Sequence, residues 1–96
     1  MPTLQIEHAI SDFDLWKPAF EADPVHREES GVRRYRVLRP LDDPRYVAID
    51  LDFDSVDEAE AFRTALQGWW GSGRAAPALA GAPRTRIVEE VLSEEY

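Results

Sequence analysis

The order of two kinds of apolar pattern along the chain constrains the fold more than any other feature. Four segments have the period or the composition of strands: 3–8, 32–39, 46–53 and 84–92. In the third segment, Val47, Ile49 and Leu51 alternate with residues of mixed character, so one face is apolar. Two other segments repeat apolar residues at helical spacing: 14–22 and 55–70. The order predicts one antiparallel sheet covered on one face by two helices.

The turn between the second and third strands fixes a register for this hairpin. If Pro40 lies opposite Tyr46, Val37 faces Ile49 and Tyr35 faces Leu51 on the apolar side. The opposite side then pairs Arg36 with Asp50 and Arg34 with Asp52, and charge pairs across an antiparallel ladder are stabilising. The pattern therefore predicts a ferredoxin-like βαββαβ sandwich of the α+β class, with four strands and two helices on one face.

Local signals predict where the first helix begins and ends. Asp14 as the N-cap residue places Pro18 at the end of the first turn, where its missing N–H costs least. The Asp-Pro pair at 23–24 interrupts this helix. A second short helical piece is predicted over Val25–Ser30, ending at Gly31.

The second helix has a clearer start. Ser55 and Glu58 have the spacing of a capping box. Its apolar stripe comprises Val56, Ala59, Phe62, Leu66 and Trp69. Residues 72–83 are rich in Gly, Ala and Pro without a period, which predicts a long loop.

Composition narrows the class of protein. The 96 residues fit one domain, residues 1–96. With 19 acidic against 11 basic residues, the net charge of −8 disfavours nucleic acid and anionic membranes as partners. The chain has no cysteine, and no apolar run reaches signal or membrane-spanning length. We expect a cytoplasmic protein with no disulfide and no thiolate metal site.

The second face of the predicted sheet is neither fully polar nor fully apolar. It carries Arg34, Arg36, Tyr46, Ala48, Asp50 and Asp52. Such a face suits a partner sheet across a partly hydrated interface, and a symmetric homodimer is the commonest solution. The alternative is a monomer whose sheet faces water, which antiparallel sheets tolerate.

Several segments resemble the dimeric α/β-barrel superfamily, which includes the antibiotic-biosynthesis monooxygenase-like proteins. The segments are Asp12-Phe13-Asp14-Leu15-Trp16-Lys17-Pro18-Ala19-Phe20, Arg27 and Gly31, Asp42-Asp43-Pro44, and Phe53-Asp54-Ser55 followed by Ala59 and Phe62. The resemblance covers nearly the whole chain. It implies that two sheets join face to face into a dimeric α/β barrel, with a pocket between the helices and the sheet of each subunit.

The resemblance is specific for fold and weak for function. Members that oxygenate polycyclic substrates use neither metal nor flavin, and they employ Asn, Trp, Tyr and Arg side chains in a dry pocket. This chain has no Asn, and Trp69 or Trp70 matches the tryptophan only loosely. The resemblance therefore assigns no catalytic residue and implies no cofactor.

Five residues are candidates for lining a ligand pocket: His8, Trp16, Tyr35, Trp69 and Trp70. His8 ends a strand and could act as a general base, although a partly buried structural histidine is the commoner role. His26 lies among charged residues and is expected on the surface. Adjacent helical residues point about 100° apart, so only one of Trp69 and Trp70 is expected to pack inward. Two separated histidines without an HExxH spacing predict no metal site.

Two functions remain open from the residues. One is a pocket for a small hydrophobic or aromatic molecule, enzymatic or carrier-like, for which the resemblance implies cofactor-independent oxygenase- or cyclase-like chemistry. The other is a non-catalytic homodimeric structural or regulatory module. RNA-recognition domains share the topology, but Asp50 and Asp52 stand on the central strand where such domains need exposed aromatic residues.

Overall fold

Six elements follow the predicted order in the computed structural model, which describes residues 1–23, 25–73 and 80–96. The elements are β1 (Pro2–Ala9), α1 (Phe13–Glu21), β2 (Arg34–Leu38), β3 (Tyr46–Asp52), α2 (Val56–Gly71) and β4 (Arg84–Glu89). The strands form one antiparallel sheet in the order β2-β3-β1-β4. The predicted α+β class and ferredoxin-like βαββαβ arrangement are confirmed.

The β2–β3 hairpin has the predicted register. Tyr35 lies opposite Leu51 and Val37 opposite Ile49. On the other face, Arg34 Nε donates to Asp52 Oδ2 at 2.6 Å, and the Arg36 guanidinium contacts Asp50 Oδ2 at 3.2 Å. A shift by one residue would exchange these two sets between the faces, so the apolar and charged pairs select the same register.

The core lies between the helices and one face of the sheet, which we call the inner sheet face. Leu4, Ile6 and His8 of β1 alternate toward it and lie opposite Leu51, Ile49 and Val47 of β3. Trp16 of α1 and Ala59 and Phe62 of α2 belong to the same buried cluster. Both helices therefore cover the inner sheet face, and Ile49 and Leu51 are directed toward them as predicted.

Helix α1 begins earlier than the sequence indicated. Asp12, not Asp14, is its N-cap residue, since the Asp12 side chain accepts a hydrogen bond from the Asp14 backbone N–H at 2.7 Å. Pro18 consequently lies inside the helix instead of at the end of its first turn. It lacks the N–H that would bond to the Asp14 carbonyl, and this weakens the helix locally. With this earlier start, Trp16 and Phe20 are four residues apart and lie on the face of α1 that points toward the sheet.

The predicted short helix over Val25–Ser30 is wrong. The residues from Val25 to Gly31 form consecutive turns. Asp23 and His26 have positive φ angles of 53° and 51°, in the left-handed region, and a helix cannot continue through such residues. The chain instead turns tightly before β2.

The N-terminus of α2 was predicted correctly. Ser55 is the N-cap residue, and its side chain accepts a hydrogen bond from the Glu58 backbone N–H at 3.2 Å. Val56 was wrongly included in the apolar stripe, because this first helical residue is 52 % exposed.

Strand β4 ends at Glu89, three residues before the predicted end at Leu92, because β1 offers no partner beyond Pro2. The predicted 72–83 loop lies partly outside the described residues, which omit 74–79.

Candidate functional site

A cavity of about 80 Å³ lies between the two helices and the inner sheet face. Its walls are mostly apolar or aromatic. They include Ile6 and His8 of β1, Trp16, Ala19 and Phe20 of α1, Ile49 and Leu51 of β3, and Phe62, Leu66, Trp69 and Trp70 of α2. Val25 and Arg27, from the turns between α1 and β2, complete the described lining.

His8 is the polar group that the sheet directs into this region. It is 4 % exposed, and its ring meets the Trp16 ring at a centroid distance of 6.4 Å. His8 therefore lies on the side of the sheet that the helices cover. Desolvation by burial lowers the pKa of His8 below its ordinary value of 6.5, although the hydrogen bond with the Ala9 carbonyl opposes this shift.

The hydrogen bond of His8 also selects its tautomer. Nδ1 lies 2.9 Å from the Ala9 carbonyl oxygen, which can only accept, so the proton of the neutral ring is on Nδ1. Nε2 is then an unprotonated acceptor on a residue that lines the cavity. A neutral imidazole in this state can accept a hydrogen bond or take a proton from a bound molecule.

A row of rings runs from His8 to the edge of the sheet, and we call His8, Trp16, Phe20 and Tyr35 the aromatic row. Trp16 stacks on Phe20 at 4.9 Å with an angle of 23° between their planes. Phe20 then meets the edge of the Tyr35 ring at 5.1 Å. Three of the five predicted site residues are thus brought into one contiguous series.

Tyr35 has a different position from the other candidates. It is 49 % exposed and does not line the cavity. Its ring contacts Phe20 and lies 5.0 Å from the guanidinium carbon of Arg27. Tyr35 therefore supports residues at the cavity wall and is not itself a wall residue.

Trp69 and Trp70 both line the cavity. Of the two, Trp70 is among the side chains packed against the buried core, in agreement with the expectation that one of them packs inward. Both are half-buried. They occupy the last turn of α2, where the cavity opens, so two side chains about 100° apart can border the same space. All three tryptophans of the chain consequently line this cavity, so their fluorescence is sensitive to a molecule bound there.

Arg27 was not among the predicted site residues. It lines the cavity with a side chain that is only 14 % exposed. No periodic pattern in the sequence indicates this residue, because its position depends on turns next to two left-handed residues, Asp23 and His26. The Asp-Pro interruption at 23–24 was the available hint that the chain leaves the helix here.

The other side of the sheet, which we call the outer sheet face, has an ordered arrangement of charge. Its members alternate with the inner residues: Thr3, Gln5, Glu7, Arg34, Arg36, Leu38, Tyr46, Ala48, Asp50, Asp52, Arg84, Arg86 and Val88. The carboxylates belong to the two central strands, and the arginines belong to the two edge strands.

Hydrogen bonds hold this outer sheet face together. Thr3 Oγ1 donates to Asp52 Oδ1 at 2.5 Å, and the Tyr46 hydroxyl donates to Glu7 Oε1 at 3.1 Å. Burial alone would raise the pKa of Asp52, but the bonds from Thr3 and Arg34 outweigh it and lower the pKa. Desolvation and the bond to Glu7 raise the pKa of Tyr46. These hydrogen bonds fix the orientation of the polar side chains on the outer sheet face.

Comparison with known proteins identifies the fold. Neither a protein-family model nor a curated protein sequence matches the chain. Among solved structures, it resembles a Bordetella bronchiseptica protein whose proposed activity is that of an antibiotic biosynthesis monooxygenase. That match has a TM-score of 0.74 and 14 % identity, and it covers 95 % of this chain and 98 % of the other.

Two further structures agree. A Nitrosomonas europaea protein with the same proposed activity matches with a TM-score of 0.63 and 18 % identity over 96 % of this chain and 100 % of that one. A dimeric ferredoxin-like protein from an uncultured marine organism matches with a TM-score of 0.63 and 7 % identity over 100 % of both chains. The chain therefore has the fold of the antibiotic-biosynthesis monooxygenase-like and dimeric ferredoxin-like proteins, and the predicted resemblance is confirmed at the level of fold.

Two kinds of feature are absent from the described residues. No helix among them is long and apolar enough to cross a bilayer. Within the same residues, no three His, Asp or Glu side chains group closely enough to hold a metal ion.

Proposed function

We propose that this protein binds a small hydrophobic or aromatic molecule in the cavity beneath its helices and acts on it with oxygenase- or cyclase-like chemistry. The observation that carries the proposal is the cavity itself, an aromatic-walled space with a buried neutral histidine in its wall. Mostly apolar walls with few polar groups are typical of small-molecule sites.

His8 supplies the chemical part of the proposal. Its unprotonated Nε2 can take a proton from an acidic O–H or C–H of the bound molecule. Proton removal makes an electron-rich anion, which is the species that reacts with O2 in oxygenation without a cofactor and that attacks a carbonyl in a cyclisation. The similar structures named for antibiotic biosynthesis monooxygenases support this class of reaction.

The size of the cavity limits the ligand. At about 80 Å³ it is smaller than the cavity of about 150 Å³ that accommodates benzene in an engineered protein core. A single ring or a short branched chain can enter in part from the open side. A flat polycyclic molecule would need the tryptophans at the end of α2 to move.

We also propose that two copies pair through the outer sheet face. This face carries half-buried Tyr46, Ala48 and Val88 among its charged groups, and a similar structure is dimeric. In such a pairing the cavities lie on the far sides of the two sheets, so each subunit keeps its own site.

A non-catalytic homodimeric module is the second candidate function. The small volume of the cavity favours it, since a close-packed core needs no ligand. In that case, the outer sheet face carries the function, and His8 is a structural histidine.

Tryptophan fluorescence tests ligand binding directly, because Trp16, Trp69 and Trp70 all line the cavity. We expect single-ring neutral compounds such as catechol and benzyl alcohol to change the emission in a saturable way. Ala19→Leu, which enlarges a side chain of the cavity lining, should weaken the change. Ala65→Leu on an exposed position of α2 should preserve it. If no compound in such a panel alters the emission, the pocket proposal fails.

Product analysis then separates a catalytic function from that of a non-catalytic module. A compound that binds is incubated with the protein in air, and its products are followed by mass spectrometry. His8→Gln should keep the binding and remove turnover of an oxygenated or cyclised product. If bound compounds are returned unchanged by the unmodified protein, the non-catalytic reading is the better one.

A further inference from the structure

Arg27 places a positive charge at the wall of an apolar cavity. Its guanidinium carbon lies 4.0 Å from the centre of the Phe20 ring and 5.0 Å from that of Tyr35. Stacking on two rings fixes the plane of the guanidinium and lets it remain charged with little exposure. Arg27 is the one cation among the described residues that line the cavity.

Hydrogen bonds within the turns between α1 and β2 hold the backbone of Arg27 in place. Asp23, in the left-handed region, accepts a hydrogen bond from the Arg27 backbone N–H at 2.8 Å. The Arg27 carbonyl accepts from the Val32 backbone N–H at 3.0 Å, at the entrance to β2. The position of this side chain is therefore set by the fold and does not depend on a free loop.

Most of the hydrogen-bonding capacity of this guanidinium is unused within the described part of the chain. Nη1 donates to the Phe20 carbonyl at 2.8 Å. Asp23 Oδ1 forms an ion pair with the guanidinium at 3.5 Å from Nη1, a distance longer than that of a usual hydrogen bond. A guanidinium carries five N–H donors, so several remain for another acceptor.

The surroundings select the kind of acceptor. A planar carboxylate matches the guanidinium fork with two parallel bonds. The net charge of −8 and the neighbouring Asp23 disfavour a dianion such as phosphate at this place. The adjoining walls, Trp16, Phe20 and Leu66, suit an apolar group attached to the carboxylate.

We propose, building on the pocket function above, that the cavity takes a small aromatic or branched-chain carboxylic acid. The carboxylate binds the Arg27 guanidinium, and the apolar part enters between the aromatic row and α2. Arg27 is then the residue that decides specificity for acids over neutral molecules of the same shape.

Isothermal titration calorimetry with benzoate and benzamide tests this inference, because the two probes have nearly the same shape and differ in charge. The protein should bind benzoate at least about tenfold more tightly than benzamide. In Arg27→Met, the affinities for benzoate and benzamide should become about equal. Arg27→Lys should retain part of the preference, because it keeps the charge and loses the fork.

Arg39→Met is the matched control. Arg39 also stacks on a ring, with its guanidinium carbon 4.9 Å from the centre of Phe13, but it does not line the cavity. This variant should keep the full preference for benzoate. If Arg27→Met does not fold, the preference of the unmodified protein and its decrease in Arg27→Lys still decide the matter.

The failures of the two proposals are distinguishable. If benzoate and benzamide bind equally well, or if the preference for benzoate survives in Arg27→Met, the proposed role of Arg27 is wrong. Neither result contradicts the proposed ligand pocket. If benzoate, benzamide and the neutral fluorescence probes all fail to bind, both proposals are wrong.

Discussion

At the scale of the residue, His8 connects the pattern of a strand to the proposed chemistry. It occupies a position of β1 at which Leu4 and Ile6 before it are buried aliphatic residues. An imidazole in that place loses most of its hydration, so the neutral form is favoured. The strand pattern places its side chain on the same face as Leu4 and Ile6, and burial there lowers its pKa.

We expect this buried histidine to make stability depend on pH. Because the folded pKa lies below the ordinary value of 6.5, the unfolded chain binds a proton first as the pH falls. The free energy of unfolding should decrease from about pH 6.5 downward and level off below the folded pKa. Urea unfolding at pH values on either side of this window measures the effect.

Two variants isolate the contribution of His8. His8→Gln should lose less stability than the unmodified protein over the same decrease in pH. His26→Gln, at an exposed position, should keep the dependence of the unmodified protein. An unchanged pH dependence in His8→Gln would show that other groups cause it.

At the scale of the element, capping decides where α1 begins. Asp12 and Asp14 both have the right side chain, and choosing between them needs the backbone, which is extended at Asp12 and helical from Phe13. The sequence could not make this choice, because placing Pro18 in the first turn gave a plausible alternative. Tertiary packing of Trp16 and Phe20 compensates for the proline within the helix.

The two aspartates should differ when each is replaced by alanine. Asp12→Ala removes the cap and should cost about 0.5–2 kcal/mol of the free energy of unfolding. Asp14→Ala removes only a first-turn charge and should cost about 0.3–1 kcal/mol or less. Thermal and urea unfolding compare them, and a larger loss for Asp14→Ala would place the cap where the sequence first indicated it.

Helix α2 is attached to the sheet chiefly through its inward side chains. Phe62 is 3 % exposed and meets Phe53 at a ring distance of 5.6 Å. Phe62→Ala should therefore cost about 3–5 kcal/mol in urea unfolding. Val56→Ala, on the exposed first turn, should change the free energy of unfolding by no more than about 0.5 kcal/mol. Similar losses in both would mean that the helix is packed differently.

At the scale of the whole molecule, the sheet separates the two proposed functions. The inner sheet face holds the cavity, and the outer sheet face holds the charged groups proposed to meet a second copy. Carboxylates in the centre and arginines at the edges give this face a pattern that a rotated copy can complement.

We expect sedimentation at micromolar concentration to show a species of about twice the chain mass of 10.9 kDa. Ala48→Arg, which adds a large charge at the centre of the outer sheet face, should shift the protein toward the monomer. Leu15→Arg, at a position of α1 that is 61 % exposed, should leave the mass unchanged. A single species of one chain mass at all concentrations would rule out the dimer.

The sequence by itself determined the order of elements, the register of the β2–β3 hairpin and the capped start of α2. Each of these follows from a local period or a pairing between neighbours along the chain. Only the tertiary structure decided that both Trp69 and Trp70 border one cavity, that Tyr35 stands beside it, and that Arg27 joins its wall. These positions depend on left-handed turns and on the spacing between helix and sheet, and neither leaves a periodic signal in the residues.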